Sequence, residues 1–392
     1  MRRRRMKRVL IGVLATCAVL ADAGAAAAQA AASGEQVAIT TPPAGSDAWV
    51  KDHSLGRALP DPATADARTV AAFFAARTPA QQEQLARAYP QVVGNLDGAP
   101  LTLRYHANAL ALAAESARAR ARAADTSLDS DLRALATARA NDTQNLLSPG
   151  RQILAFDPRG RGLVSEVFGD LASAQRVSVI VPGSDTDLGH FDRAVEPLRS
   201  PAGMARALRA EEQRQSPGVR TAVVAWTGYV TPVGLGADAV TARLADAGAP
   251  RLIRLLDGLR ETSSPVVPPT LLCHSYGSVV CGTVAPALHG ATTDMVVLGS
   301  PGMGVQSAGE LGTAVHLWAT RNPSDWIGNV PYLEVGGLGH GADPTGSDFG
   351  AEEISSTGAA GHVGYFAAGT ESLRNFAAIA LGAYQSVSYR TA

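Results

Sequence analysis

The stretch TLLCHSYGSVVCGTV, residues 270–284, constrains the fold more than any other part of the chain. Thr270–Cys273 is an apolar run that predicts a buried strand, and Val279, Val280 and Val284 then recur at helical spacing. Between them lies the turn His274-Ser275-Tyr276-Gly277. A strand that passes through a serine straight into a helix is a nucleophile elbow. The turn lifts the serine oxygen clear of the sheet and aims the positive end of the helix at it, and the next backbone N–H favours an oxyanion. The usual spacing is G-x-S-x-G, and Cys273 stands where the first glycine would be. Both flanking positions need small residues because strand and helix nearly touch there.

The surrounding pattern supplies the sheet that such a turn needs. Gln152–Asp157 and Leu163–Phe168 read as two strands joined by Pro158-Arg159-Gly160-Arg161-Gly162, which gives a mixed edge. Val177–Val181, Thr221–Trp226, Thr270–Cys273, Met295–Gly299 and Ala314–Ala319 read as further strands, separated by helical patterns at Met204–Glu212 and Ala239–Leu259. This alternation predicts an α/β fold, a mostly parallel doubly wound sheet covered on both faces. Residues 65–148 come before it and read as helices throughout. Asp66 is placed to cap the first, and Thr78-Pro79 to start the second. The Ala/Ser/Pro/Thr-rich residues 31–64 read as a flexible leader, and 150–388 as the sheet-bearing domain.

Residues 1–30 have the form of a signal peptide. Arg2–Arg5, Lys7 and Arg8 precede an apolar stretch of 12 residues, Val9–Leu20, and Ala28-Gln29-Ala30 offers a cleavage site. The stretch is short of the roughly 20 residues a membrane span needs. Export, with no stable membrane anchor after cleavage, is therefore expected. Lys+Arg (34) and Asp+Glu (35) balance, which gives no basic footprint for nucleic acid. Cleavage leaves Cys273 and Cys281 in an oxidising compartment. Cys281 lies four residues after Gly277, on the helix face packed against the strand that carries Cys273. A disulfide between them is expected.

A serine nucleophile needs a base, and the base needs an orienting acid, in the chain order serine, acid, histidine. Of the histidines after Ser275, His289 points away at the end of the elbow helix and His316 lies inside a strand. His362 precedes the final amphipathic helix, Thr370–Tyr384, and follows a short strand candidate, Glu353–Ser356. That is the position of a general base, with His340 as the alternative. The acid is expected just past Ala314–Ala319, where Asp325 is the acid of the turn; Asp343 and Asp348 are alternatives. For the oxyanion, the donors expected are the amides of Tyr276 and Ser184, with Gly183 allowing close backbone approach. Asp185, Asp187, His190 and Asp192 lack convincing ligand spacing, so no metal is expected.

Taken together, PQVVGNLDGAPLTLRYHAN, VPGSDTD, AWTGY, CHSYGS, NPSDWI, HGADPTGSDFG and GHVGYF resemble an actinobacterial family of secreted α/β-hydrolases, formerly a domain of unknown function. The resemblance runs over roughly residues 65–385. It implies the α/β-hydrolase fold behind a helical segment, and a Ser-Asp-His hydrolase with Ser275, Asp325 and His362 in those roles. Cys273 in place of glycine is the departure. The expectation is a cofactor-independent serine hydrolase of carboxylic esters, acting on a small-molecule or lipid ester. A peptidase or amidase with the same three residues, or a non-catalytic exported binding protein, are the alternatives. The N-terminal helices are expected to cover the site.

Overall fold

The computed structural model describes residues 35–263, 267–312 and 314–390. Residues 1–30, expected from sequence to be a signal peptide, lie outside the described residues. Residues 45–62, read from sequence as part of a flexible leader, are packed instead. Helix α1 (Ser46–Lys51) buries Trp49 completely, and the Trp49 indole N–H donates to the Pro60 carbonyl at 2.6 Å. One large aromatic with a satisfied polar tip holds the segment down where composition suggests a loose chain.

Four further helices follow: α2 (Ala67–Ala75), α3 (Pro79–Ala88), the single turn α4 (Pro90–Gly94) and the long α5 (Leu101–Ala124). The caps are those the residues dictate. Asp66 accepts from the Thr69 N–H, and Thr78 and Gln81 form a reciprocal capping box. Helix α6 (Ser130–Leu146) starts on Asp129 and pairs with α5. Helices α1 to α5 share a core of Trp49, Val70, Phe74, Leu85, Val93 and their neighbours.

The sheet follows. β1 (Gln152–Asp157) and β2 (Leu163–Gly169) form an antiparallel hairpin. β3 (Arg176–Val181), helix α7 (Pro201–Gln215), β4 (Thr221–Thr227), helix α8 (Arg243–Thr262), β5 (Thr270–His274), helix α9 (Gly277–Val284) and β6 (Asp294–Leu298) then alternate. β7 (Gly302–Val305) leaves the sheet, β8 (His316–Thr320) rejoins it, β9 (Glu334–Val335) and β10 (Leu338–Gly341) make a hairpin, and β11 (Glu352–Glu353) closes the edge. The order is β1-β2-β4-β3-β5-β6-β8-β11, parallel from β4 onward. Helices α8 and α9 bury one face and α7 with α10 (Glu371–Leu381) the other.

Three details differ from the sequence reading. β7, β9 and β10 form a separate three-stranded sheet, too short and glycine-rich to show a period of two. The strand expected at Glu353–Ser356 shrinks to β11 with a single bridge beyond it, Ile354 to Tyr389. The N-terminal helices do not lie over the elbow: α4 and α5 pack along β1 and α2 against α8. An edge strand exposes unpaired backbone groups, and this packing covers it.

Candidate active site

Ser275 sits at the carboxyl end of β5, in the left-handed region with φ 55°. A serine held there is strained, and the neighbours fix it. Its N–H donates to the Leu298 carbonyl at 3.0 Å. Glycines make the tight turn possible. A Cβ on Gly277 would lie 2.2 Å from the Val181 carbonyl oxygen, and one on Gly183 would lie 2.5 Å from the Ser275 Cβ. Cys273 fills the position of the missing glycine and is bonded to Cys281, with their Cα atoms 6.4 Å apart. The disulfide ties strand β5 to helix α9 immediately behind the turn.

The three residues singled out for chemistry come together. The Ser275 Oγ lies 2.8 Å from His362 Nε2, and His362 Nδ1 lies 2.9 and 3.0 Å from the Asp325 carboxylate oxygens. Asp325 is fully buried as a side chain, and 16% of the His362 side chain is exposed. Asp325 also accepts from the Tyr365 hydroxyl at 2.6 Å and from the Ile327 N–H at 2.9 Å. Burial pushes this carboxyl up. The hydrogen bonds and charge of His362, with Tyr365 and Ile327, outweigh burial and hold it below the ordinary value. Gly299, just after β6, makes the room: a Cβ there would meet Asp325 Oδ2 at 2.9 Å.

The two loops are bound to each other as well. Asn322 donates its side-chain N–H to the Gly361 carbonyl at 2.7 Å, and the Gly361 N–H donates to Ser324 Oγ at 2.9 Å. The Trp326 ring packs on His362 with centroids 4.8 Å apart. His274 donates its Nε2–H to the His362 carbonyl at 2.8 Å. Complete burial pulls the His274 pKa down to about 3, so its ring is neutral at any working pH. The sequence reading looks for histidines only downstream of Ser275 and so passes over His274. It also misses Tyr365, Asn322 and Ser324, although Asn322 and Ser324 lie in the same turn as Asp325 and Tyr365 in the GHVGYF segment.

The loop after β3 presents Gly183 and Ser184 beside the serine. It is pinned from the loop after β4: the Tyr229 hydroxyl donates to the Pro182 carbonyl at 2.6 Å, and the Asp185 N–H donates to Pro232 O at 2.8 Å. Among the described residues, the N–H groups of Tyr276 and Ser184 have no protein acceptor. Both are therefore free to serve an oxygen in the site. The Tyr276 ring turns away, and its hydroxyl donates to the Thr241 carbonyl at 2.6 Å.

The alternatives lie elsewhere. His340 donates to the Ala239 carbonyl at 2.8 Å and packs edge-on against Tyr276. Asp343 pairs with Arg321, and Asp348 accepts from Ser347. His316 pairs with Glu352 on the sheet edge. Asp187 binds Arg161 and His190, while Asp192 joins Arg151 and Arg206 in ion pairs that tie β1 and β2 to α7. These acids are spent on structural partners.

A family model described as alpha/beta hydrolase matches residues 157–335, a span that holds Ser275 and Asp325 and stops before His362. With the mostly parallel eight-stranded sheet flanked by helices, the chain has the α/β-hydrolase fold. The match supports a hydrolase. Two uncharacterised proteins from two strains of Mycobacterium tuberculosis are each 29% identical over 83% of this chain and 57% of their own length. The chain thus spans little more than half of those relatives. Among solved structures, a 2,6-dihydroxy-pseudo-oxynicotine hydrolase aligns over 67% of this chain and 82% of its own, with TM-score 0.29 and 11% identity. An N-formylmaleamic acid deformylase from Pseudomonas putida aligns over 36% and 45%, with TM-score 0.22 and 16% identity.

Proposed function

We propose that the protein is an exported serine hydrolase that cleaves carboxylic esters through an acyl-enzyme on Ser275. The observation that carries this reading is the continuous relay from Ser275 Oγ to His362 Nε2 at 2.8 Å and from His362 Nδ1 to Asp325 at 2.9 Å. Ser275 attacks the acyl carbonyl as His362 takes its proton, and the imidazolium returns that proton to the leaving alcohol. Asp325 fixes the tautomer and stabilises the imidazolium. The N–H groups of Tyr276 and Ser184 receive the oxyanion, helped by the N-terminal end of α9. Water then attacks the acyl carbonyl as His362 takes its proton, and His362 passes that proton to Ser275 Oγ as the acyl–serine bond breaks and the acid leaves. These steps use only side chains and backbone of this chain.

Incubation with a fluorophosphonate probe, followed by mass-spectrometric mapping, tests the nucleophile directly: the adduct is expected on Ser275. Replacement by alanine is expected to lower kcat on an activated ester by roughly 10⁴–10⁶-fold. Full activity of Ser275→Ala would refute the assignment. Matched ester and amide substrates run side by side separate esterase from amidase chemistry. The reading predicts faster ester turnover.

A further inference from the structure

A second cleft lies on the same end of the sheet, away from Ser275. Its volume is about 120 Å³, and it is walled by the start of β2, the end of β4, helix α8 and residues 40–43 of the N-terminal segment. Nothing in the proposed ester chemistry uses it. Its polar content is unbalanced. Asp157 and Asp97 line it, and both carboxylates are already engaged. Asp157 takes a two-pronged contact from Arg159, with Arg159 Nη2 2.6 Å from Oδ2, and Asp97 takes Arg104 at 2.9 Å. Two other guanidinium groups, Arg251 and Arg254, face the cleft one turn apart on α8.

Arg251 is the informative residue. Its side chain is only 18% exposed, yet it has no hydrogen-bond acceptor among the described residues, and its closest carboxylate oxygen, Asp157 Oδ2, is 3.8 Å away. Burial pulls its pKa down, and the neighbouring Arg254 and Arg159 act in the same direction, against Asp157 and Asp97. A guanidinium carries five donors in a rigid fork, and removing it from water without acceptors is costly. Beside it, the Ser165 hydroxyl is completely buried and has no partner, and the same holds for the Thr227 hydroxyl at the end of β4. Ser165 pairs across the strands with Trp226, so its side chain shares that indole's face of the sheet, the face α8 covers. The cleft therefore combines an aromatic wall, a buried guanidinium whose nearest carboxylate oxygen stands off at 3.8 Å, the exposed guanidinium of Arg254, and hydroxyls without a partner. Arg159 also donates to the Thr41 hydroxyl at 2.8 Å and to its carbonyl, which holds the N-terminal segment in place as the outer wall.

We propose that this cleft is a second binding site, for an organic anion whose carboxylate or phosphate is held by Arg251 and Arg254 and whose apolar body lies against Trp226. The proposal is independent of the role given to Ser275. Both acid types suit a guanidinium fork, and they share the chemistry of a planar or tetrahedral oxyanion attached to an apolar group.

The test is calorimetric titration of the full chain carrying Ser275→Ala, so that no probe is turned over. The probes are phenyl phosphate and benzoate, which share a ring and differ in the acid. Saturable binding of one molecule per chain is expected for at least one probe, with a Kd that rises about tenfold or more in Arg251→Gln and in Arg254→Gln. Binding of phenyl phosphate alone identifies a phosphate ligand, and binding of benzoate alone a carboxylate. Arg254 is exposed, so its variant carries the test if Arg251→Gln fails to fold. Absence of saturable binding by both probes at millimolar concentration overturns the proposal, as does an unchanged Kd in the folded arginine variants.

Discussion

His274 donates its Nε2–H to the carbonyl of His362, so the residue just before the nucleophile holds the residue that would take the nucleophile's proton. The two are 88 positions apart in sequence. Their rings lie 4.8 Å apart between centroids, and burial keeps His274 neutral. His274 is thus a positioning residue for the base.

Removing that donor is expected to loosen the His362 loop without disturbing substrate binding. His274→Leu should lower kcat roughly tenfold with little change in KM. His274→Gln, which keeps an N–H donor, should recover part of the loss. Steady-state kinetics on one ester decides it, and equal losses in both variants would assign His274 a packing role only.

Asp325 accepts from His362, Tyr365 and Ile327, and it stays charged despite burial. Asp325→Asn should lower kcat by roughly 10³–10⁴-fold while the fold persists, because an amide leaves imidazole in the wrong tautomer. Far-UV circular dichroism beside the kinetics separates this from unfolding. A loss below about tenfold would place the orienting acid elsewhere.

Glu212 on α7 is fully buried, accepts from Ser178 at 2.9 Å, and burial raises its pKa from 4.5 to about 7. Between those values the folded chain binds the proton that the unfolded chain has released. Stability gained from the protonated form is complete below pH 4.5 and is lost as pH rises toward 7. The loss should amount to roughly 3 kcal/mol. Urea midpoints measured across that range should fall for the native chain and fall less for Glu212→Gln. Parallel curves would count against a protonated Glu212.

The Cys273–Cys281 bond closes a short loop, with a sequence separation of 8. Replacing both cysteines by alanine should cost about 2–3 kcal/mol in urea unfolding. Labelling of Ser275 by the fluorophosphonate should persist, because Gly183 and Gly277 remain to shape the turn. An unchanged unfolding midpoint would show that the bond adds nothing.

Gly277 has no space for a side chain, since a Cβ would meet Val181 O at 2.2 Å and Pro182 O at 2.8 Å. Gly277→Ala should push α9 off β3 and abolish probe labelling even where soluble protein is recovered. Labelling at the native rate would contradict the contact.

Much of this architecture was legible in the sequence because it rests on local signals. The β-branched run at Val177–Val181 and the caps at Asp66 and Thr78 need no tertiary information, and the structure has β3 at Arg176–Val181 and both caps in use. Ser275, Asp325 and His362 were singled out because the chemistry prescribes a chain order as well as residue types. The supporting residues were not. Tyr365 and Asn322 matter only because two loops 43 positions apart in sequence meet, and no local pattern encodes that. Trp49 escaped for the converse reason: one buried ring outweighs the bland composition around it.

The relay joins groups that stand beyond the ends of different strands, with Ser275 and His362 87 positions apart in sequence. No single element of the fold holds all of it, and His362 is set in place beyond the sheet edge where β11 pairs with β8. Any change that loosens the pairing of β8 with β11 is therefore expected to reach Ser275 chemistry from a distance, through the position of the His362 loop.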